Sequence, residues 1–235
     1  MPDTTVIIDT ARREARTILT EVESKSLLAE AGITVSDTHL ATSAAEAAAL
    51  AGRTGFPVVL KIVSPDIIHK SDVGGVCLNI HNEAEASLAY ARLMAAVGRA
   101  EPEARLQGVS VQKQVDGGVE LLVGMFRDAQ FGPVIAFALG GTMVELLDDV
   151  SLRLVPLRRR DAIQMIDEIK GKKLLEGFRG RPPVNKKALQ DMLLAVSAFV
   201  GKNPDIAELD LNPVMADENG AVAVDARILR GESRA

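Results

Sequence analysis

Residues 56–80, FPVVLKIVSPDIIHKSDVGGVCLNI, constrain this chain more than any other stretch, because they place one cation inside an apolar run. Residues 56–63 are rich in β-branched side chains and show no polar alternation, which predicts a strand buried on both faces. Lys61 is the one charged residue of that run. Because an ammonium group buried in a strand requires an anion beside it, the sequence predicts a negatively charged partner for Lys61.

Residues 64–75, SPDIIHKSDVGG, have the composition of a loop and follow the strand directly. His69 lies in the middle of this loop, and Gly74 and Gly75 allow its backbone to approach a ligand closely. Residues 76–80 then alternate as a returning strand. A desolvated ammonium beside a loop with available backbone N–H groups suits a polyphosphate.

Each of these residues taken alone has a simpler explanation. Lys61 could be a lysine that protects a sheet edge, the glycine pair an ordinary turn, and His69 a solvated loop histidine. Their combination favours phosphate binding. Neither GxGxxG nor GxxxxGK[ST] occurs in the sequence, which disfavours the Rossmann and P-loop classes.

The composition predicts a globular protein of one large domain or two lobes. The chain has 235 residues, 47% of them hydrophobic, and a net charge of -5. With one tyrosine and no tryptophan, it lacks the basic and aromatic surface that nucleic acids require. Cys77 is the single cysteine, which fits a reducing compartment. The first residues do not resemble a signal peptide and no run is long enough to span a membrane, so we expect a cytoplasmic protein without a membrane partner.

The first half of the chain predicts a small α/β lobe. Its predicted elements are a helix over 11–23, a helix from Ser24 to Gly32, a strand at 38–41, a helix at 43–51, the two strands 56–63 and 76–80, and a helix at 83–97.

The second half predicts a further set of strands and helices. Strands at 109–115 and 119–126 are expected to form a hairpin through Asp116-Gly117-Gly118, with Gln112, Lys113 and Gln114 at the seam between lobes. The remaining predicted elements are a strand at 134–139 that ends in Gly140-Gly141, helices at 161–176 and 188–200, and a terminal pair of strands around a turn at 217–220.

The terminal pair of strands carries a possible metal site. Glu208, Asp210 and Asn212 alternate and so project from one face, and Asp225 lies in the opposing strand, where a hairpin could bring it near Asn212. A solvated sheet face explains such a pattern in most proteins. Acidic and amide oxygens on facing strands also suit Mg²⁺. A lysine that requires an anion in one lobe and this hairpin in the other predict a nucleotide between them.

Together these residues resemble the ATP-grasp β subunit of ADP-forming acyl-CoA synthetases, the acetate–CoA ligase type related to succinyl-CoA synthetase. The resemblance covers about 24–228 and rests on the motifs FPVVLKIVSPDIIHKSDVGGV, VELLVG, FGPVIAFALGGTMVELLDDV, GFRGRPP and ELDLNP with AVDARI. It implies an α/β (α+β) protein of the ATP-grasp fold, with the nucleotide between two α/β lobes. The lobes would be 24–108 and 109–235, after a helical extension at 1–23 that lies outside the pattern.

The same resemblance implies a role for each candidate residue. Lys61 would bind nucleotide phosphate, and His69 would be a phosphorylatable histidine steadied by Asp210. The seam at 111–115 would hold adenine through its backbone, and Glu120 would lie near the ribose. The implied nucleotide-binding set is Lys61, Gly74, Gly75, Gln112, Lys113, Val115 and Glu120, and the implied Mg²⁺ ligands are Asn212 and Asp225.

The resemblance also implies a partner. The CoA-binding α subunit of the family carries a Rossmann unit and the first phosphorylated histidine, and this sequence contains neither. The chain would then be one subunit of an acid–thiol ligase, with α₂β₂ composition, that uses ATP and Mg²⁺ and passes phosphate through a phosphohistidine to and from ADP. Two other hypotheses stay open at this point: a stand-alone ATP-grasp ligase that joins a carboxylate to an amine, and a nucleotide-sensing subunit without turnover.

Overall fold

A computed structural model describes residues 4–141, 149–178 and 180–231. The chain divides into two compact units. The first, which we call the four-stranded unit, consists of residues 20–23 and 36–115. The second, the six-stranded unit, consists of residues 1–19, 24–35 and 116–235.

The described ranges contain single helices between strands and also runs of consecutive strands. The helices there are α1 (Thr4–Arg13), α2 (Glu21–Glu30), α3 (Ala44–Thr54), α4 (Glu83–Ala100), α5 (Arg159–Glu168) and α6 (Lys186–Lys202), with a 3₁₀ helix at Lys170–Leu174. The strands are β1 (Thr38–Ala41), β2 (Val58–Val63), β3 (Val76–Ile80), β4 (Gly108–Lys113), β5 (Val119–Asp128), β6 (Gly132–Leu139), β7 (Val150–Leu154), β8 (Ile206–Ala216), β9 (Ala221–Ala223) and β10 (Arg227–Arg230).

The four-stranded unit is an antiparallel sheet with strand order β1-β4-β2-β3 and two helices. Side chains of one sheet face form a core with α3 and α4; Leu60 and Val111 are examples. The hydroxyl of Ser43 caps α3 and the amide oxygen of Asn82 caps α4, as the sequence predicts. These caps set where both helices begin.

The second face of this sheet is polar although it is buried. Lys61 on β2 lies opposite Ser110 on β4, and Gln112 follows two residues later on the same face. Lys61 is 6% exposed, and Ser110 and Gln112 are fully buried. The strand at 58–63 is therefore buried on both faces, as predicted, but Lys61 shares its face with other polar groups.

The six-stranded unit is an antiparallel sheet with strand order β10-β8-β5-β6-β7, and β9 pairs with β8. One face packs against α5 and α6, and Phe137 and Met165 are among the fully buried side chains between them. On β8, Leu209 and Leu211 are buried, whereas the residues between and beside them point to the other face. The predicted alternation along β8 is confirmed.

The predicted hairpin between residues 109–115 and 119–126 is wrong. β4 pairs with β1 and β2, whereas β5 pairs with β6 and β8. Gly117 and Gly118 connect two different sheets and both have positive φ. A side chain on Gly118 would lie 2.7 Å from the carbonyl oxygen of Ala216, so glycine permits the close passage of the chain beside β8 and not a tight hairpin turn.

The expected helix over 11–23 is also wrong. The chain leaves α1 after Arg13, and Ala15 has a φ of 52°. Ile18 then bridges Leu229 of β10, and the Leu19 N–H donates to the carbonyl of Ile228. Pairing with a strand that is distant in the sequence replaces the local helix here.

The limits of the two units differ from the expected lobes 24–108 and 109–235. Residues 108–115 belong to the four-stranded unit, because β4 is its inner strand, and residues 24–35 belong to the six-stranded unit. Across the described ranges, no helix is sufficiently long and apolar to cross a membrane.

Gly108 gives a test of the four-stranded unit. It has a φ of +134°, and a Cβ there would overlap the carbonyl oxygen of Ala41. We expect Gly108→Ala to lower the free energy of unfolding by about 2–5 kcal/mol, because strain and backbone overlap add. Gly98→Ala is the matched control, since Gly98 lies in α4, where a Cβ would meet only the Leu106 side chain at an ordinary contact distance of 3.9 Å, and alanine should stabilise the helix by about 0.5–1 kcal/mol. Urea unfolding measures both, and equal stability of Gly108→Ala and the wild type would contradict the close contact.

Candidate functional site

Lys61 has the anion that its burial requires, and this anion is Glu21. The Nζ of Lys61 donates to Oε1 of Glu21 at 2.8 Å, and both side chains are less than a tenth exposed. The Nζ of Lys70 lies 3.3 Å from the other carboxylate oxygen. One carboxylate therefore pairs with a lysine of β2 and with the lysine that follows His69 in the sequence.

Glu21 is held by the start of α2. The Thr20 N–H and hydroxyl both donate to Oε2 of Glu23, and the Glu23 N–H donates to the hydroxyl of Thr20. This reciprocal arrangement is a capping box, and it fixes the first turn of the helix. Glu21 is the first residue of that turn.

The loop that carries His69 is anchored on both sides. Before His69, Asp66 accepts two hydrogen bonds from the Arg105 guanidinium, at 2.7 and 3.0 Å, and one from the Arg105 N–H. These hydrogen bonds lower the pKa of Asp66 to about 2. After His69, the backbone of Lys70 accepts from the Gly75 N–H at 2.7 Å. His69 itself is exposed between the two anchors.

The glycine pair of this loop has a structural explanation. Gly74 has a φ of +68° in open space, so it supplies a left-handed turn. At Gly75 a Cβ would lie 2.6 Å from the Ile62 side chain and 2.7 Å from the Lys70 carbonyl oxygen. Glycine at this position lets the end of the loop pack directly on β2.

Three residues of the seam at 111–115, namely Gln112, Lys113 and Val115, have different surroundings. Gln112 is fully buried, and its Oε1 accepts from the hydroxyls of Ser36 and Thr38. The Nζ of Lys113 donates to the carbonyls of Gly55 and Phe56 at 3.0 and 2.5 Å. Val115 is half-buried beyond the end of β4. The side chain of Lys113 thus secures the backbone at 55–56, and the side chain of Gln112 is held by two hydroxyl groups.

In the six-stranded unit, the predicted metal ligands lie on facing chain segments. β8 pairs with β9, where Val214 lies opposite Ala223, and with β10, where Asp210 lies opposite Arg227. Counting inwards from the two pairs gives the same register for the residues between them. This register places Asn212 opposite Asp225. Asn212 is exposed and Asp225 half-buried, with Oδ1 accepting from the Ala226 N–H at 2.9 Å. The Val224 N–H donates to the Pro213 carbonyl at 2.9 Å, so the two segments face each other as expected, and the metal-binding role of the two residues stays a prediction.

Asp210 lies two residues before Asn212 on the same face and is about one third exposed. Desolvation raises the pKa of this carboxyl, and the charges of Asp225 and Glu208 raise it further. Arg227, whose Nη2 lies 3.9 Å away, opposes this effect only in part. Asp210 is therefore a stronger base than an exposed aspartate.

Glu120 lies near the start of β5, beside the second glycine pair. Its carbonyl accepts from the Gly140 N–H at 2.7 Å. A Cβ on Gly141 would lie 3.0 Å from Oε2 of Glu120. The glycines leave room for the exposed Glu120 carboxylate at this edge of the sheet.

Donor chemistry favours Mg²⁺ over a softer metal. In the described part of the chain, no three His, Cys, Asp or Glu side chains are grouped so that they could hold a metal ion. Mg²⁺ requires few protein ligands, prefers oxygen and completes its shell with water and phosphate. An amide oxygen from Asn212 and a carboxylate from Asp225 fit that requirement.

Two residues of this region are missed by the sequence analysis: Glu21 and Lys70. The capping-box pattern Thr20-x-x-Glu23 was the available signal, because it places a helix start at residue 21 and makes Glu21 the first helical residue. Lys70 has no comparable signal, since its partner is distant in the sequence. The roles of the candidate residues remain predictions.

Comparison with known proteins identifies relatives over nearly the whole chain. The model of a family described as ATP-grasp domain matches residues 10–229. The beta subunit of acetate–CoA ligase [ADP-forming] I from Pyrococcus furiosus is 46% identical over 223 residues, which are 95% of this chain and 96% of that protein. Acetate–CoA ligase [ADP-forming] I from Archaeoglobus fulgidus is 47% identical over 210 residues, which are 89% of this chain and 30% of that protein.

Solved structures of the dinucleotide forming acetyl-coenzyme A synthetase 1 from Ca. Korarchaeum cryptofilum are also similar. Its complex with coenzyme A, Ca-AMPCP and HgCl+ has a TM-score of 0.95 and 45% identity, and the match covers 97% of this chain and 100% of that chain. A complex with coenzyme A and Mg-AMPPCP, described with the phosphohistidine segment pointing towards the nucleotide binding site, has a TM-score of 0.87 and 42% identity at the same coverage.

These matches confirm the ATP-grasp fold and correct one expectation. The family match begins at residue 10, so residues 10–23 do not lie outside the pattern, in agreement with the contacts of Ile18, Leu19 and Glu21. Part of the motif FGPVIAFALGGTMVELLDDV, at 142–148, and Arg179 of GFRGRPP lie outside the described residues. The chain belongs to the ATP-grasp family, among the β subunits of ADP-forming acetate–CoA ligases.

Proposed function

We propose that this chain is the ATP/ADP-binding β subunit of an ADP-forming acyl-CoA synthetase, which catalyses acid + CoA + ATP = acyl-CoA + ADP + Pi. The observation that carries the proposal is the environment of His69. This exposed histidine precedes Lys70, which shares the Glu21 carboxylate with the buried Lys61. A stand-alone ligase that joins a carboxylate to an amine would need no histidine here. Similarity to a β subunit over 95% of this chain supports the same assignment.

In this mechanism a neutral imidazole nitrogen of His69 attacks the terminal phosphorus of ATP. A P–N bond forms while the bond from that phosphorus to the β–γ bridging oxygen breaks, and ADP leaves with the electron pair. Lys61 and Lys70 neutralise the charge of the phosphoryl oxygens, which is most of what such a transfer requires. The N–H groups of Gly74 and Gly75 donate to carbonyls of their own loop, so we assign to this glycine pair a close approach of the loop to the nucleotide, and to the backbone of the seam at 111–115 the binding of adenine.

The phosphoryl group then passes from His69 to a histidine of the partner subunit. From there it moves to the carboxylic acid, giving an acyl phosphate, and the thiol of CoA displaces phosphate to give the acyl-CoA. Each step is reversible, so the same residues can phosphorylate ADP. We assign to Asp210 the steadying of the histidine, and its raised pKa supports this role because it makes the carboxylate a better hydrogen-bond acceptor.

Asn212 and Asp225 are the residues that we propose to hold Mg²⁺ with the nucleotide. The bound metal would neutralise phosphate oxygens of ATP. The Ala226 N–H orients the Asp225 carboxylate, which supplies the negative charge of the site. Glu120 is proposed to lie near the ribose, with Gln112, Lys113 and Val115 beside the adenine.

The partner in this proposal is a separate CoA-binding α subunit with a Rossmann unit, in an α₂β₂ assembly. The relative from Archaeoglobus fulgidus supports the need for a partner. This chain corresponds to 30% of that longer protein, so the rest of that protein has no counterpart in this chain. We propose a cytoplasmic location with no nucleic-acid or membrane partner, on the basis of the single cysteine and the acidic net charge.

Lys61→Met tests the phosphate contact of this lysine. Loss of a charge-assisted contact should cost about 1.5–3 kcal/mol, which is roughly a ten- to hundredfold loss of ATP affinity in calorimetry. Lys187→Met is the control, since Lys187 is 78% exposed and pairs with Asp191 on the surface of α6. Unchanged ATP affinity in Lys61→Met would remove Lys61 from the nucleotide site.

Asp225→Asn tests the metal site. The substitution keeps the shape and removes the charge, so we expect the Mg²⁺ concentration for half-maximal activity to rise about tenfold or more. Glu208→Gln removes a charge from the same strand pair two positions from Asp210 and should leave that concentration within about twofold. If the two variants respond alike, Asp225 acts through general electrostatics and is not a ligand.

His69→Ala tests the phosphate relay in the complex with the α subunit. The variant should bind ATP with Mg²⁺ as the wild type does but lose net acyl-CoA formation. In the wild type, ATP labelled at its terminal phosphate should leave an acid-labile, base-stable label on this chain, and the variant should take up none. Near wild-type synthesis by His69→Ala would mean that phosphate passes directly between ATP and the partner subunit.

A further inference from the structure

Glu21 is a buried charged group to which the proposed mechanism assigns no role. It is 4% exposed, and its two carboxylate oxygens pair with two different lysines. Lys61 belongs to β2, whereas Lys70 belongs to the His69 loop. One carboxylate of α2 thus connects the strand that carries one cation to the loop that carries the other.

The electrostatics of this cluster require the carboxylate. Two ammonium groups that are 8% and 17% exposed repel each other, and a buried charge is costly unless it is paired. Glu21 places one negative charge between the two ammonium groups. A phosphoryl group that approaches the cluster would meet two charged donors.

The ion pairs of Glu21 reach Lys70, the residue next to His69. The carbonyl of Lys70 accepts from the Gly75 N–H, and its side chain pairs with Glu21. On the other side of His69, Asp66 is fixed by Arg105. Of these two anchors, the one at Lys70 is connected through Glu21 to Lys61.

Glu21 is presented rigidly, because it lies in the first turn of a helix closed by the capping box of Thr20 and Glu23. A group that must hold two cations within about an ångström of a working geometry needs such support. A carboxylate repels phosphate, so its contribution acts through the lysines.

We propose that Glu21 is a positioning residue for the phosphoryl relay. It holds Lys61 in place for the nucleotide phosphates, and Lys70 in place for the phosphoryl group on His69. This inference rests on the proposed function of the chain as a β subunit that is phosphorylated at His69.

The test uses the complex of this chain with its α subunit and two readouts: ATP affinity by calorimetry and the rate at which terminally labelled ATP labels His69. Glu21→Gln should lower the labelling rate at least a hundredfold and ATP affinity about tenfold, because it disturbs both lysines. Lys70→Met should lower the labelling rate similarly and leave ATP affinity within about threefold. Glu103→Gln, which removes an exposed carboxylate from the same unit outside this cluster, is the control that should retain both.

A double-mutant cycle separates positioning from simple support of the fold. If Glu21 acts through Lys70, Glu21→Gln should add little to the labelling defect of Lys70→Met. Losses that multiply, or a wild-type labelling rate in Glu21→Gln, would overturn the proposal. If Glu21→Gln does not fold, Glu21→Asp replaces it in the test, because it keeps the charge and shortens the side chain. Its labelling rate should then lie between that of the wild type and that of Lys70→Met.

The outcomes also distinguish this inference from the proposed function. If the wild-type complex makes acyl-CoA but no label appears on His69, the relay itself fails. The cycle of Glu21→Gln with Lys61→Met, read by ATP affinity, then still decides whether Glu21 positions Lys61. Additive effects in that cycle would overturn the remaining part of the inference.

Discussion

The ion pairs of Glu21 with Lys61 and Lys70 are the interaction on which the four-stranded unit depends. Desolvation of an unpaired ammonium costs several kcal/mol, and loss of one partner of a buried pair typically costs about 3–5 kcal/mol. A central strand can therefore carry Lys61 only if a carboxylate is brought to it. The capping box of Thr20 and Glu23 supplies that carboxylate from outside the sheet, and the second lysine extends its effect to the His69 loop.

A different constraint organises the six-stranded unit. Its β8 strand contributes apolar side chains to the core with one face and polar side chains to the surface with the other. The continuous register with β9 and β10 then fixes which residues face Asn212 and Asp210. Partial burial raises the pKa of Asp210, so the same geometry that places this carboxylate also raises its proton affinity.

Local patterns predicted most of the individual elements. Ser43 and Asn82 are capping residues whose effect spans three positions, so α3 and α4 begin where the sequence indicates. The connection between β4 and β5 was mispredicted because two glycines after a strand usually close a hairpin. Here they pass beside Ala216, which is about a hundred residues away in the sequence, and no local pattern contains that contact.

The sequence by itself determined that Lys61 needs an anion, that His69 lies in a loop ending in two glycines, and that Asn212 could face Asp225. Each of these follows from burial, turn chemistry or the two-residue period of a strand, which act over short stretches of chain. Tertiary structure alone decided that the anion is Glu21 and that Lys70 shares it. Charge pairing in a folded interior is selected by distance and desolvation, and the partners that it brings together lie 40 and 49 positions apart in the sequence.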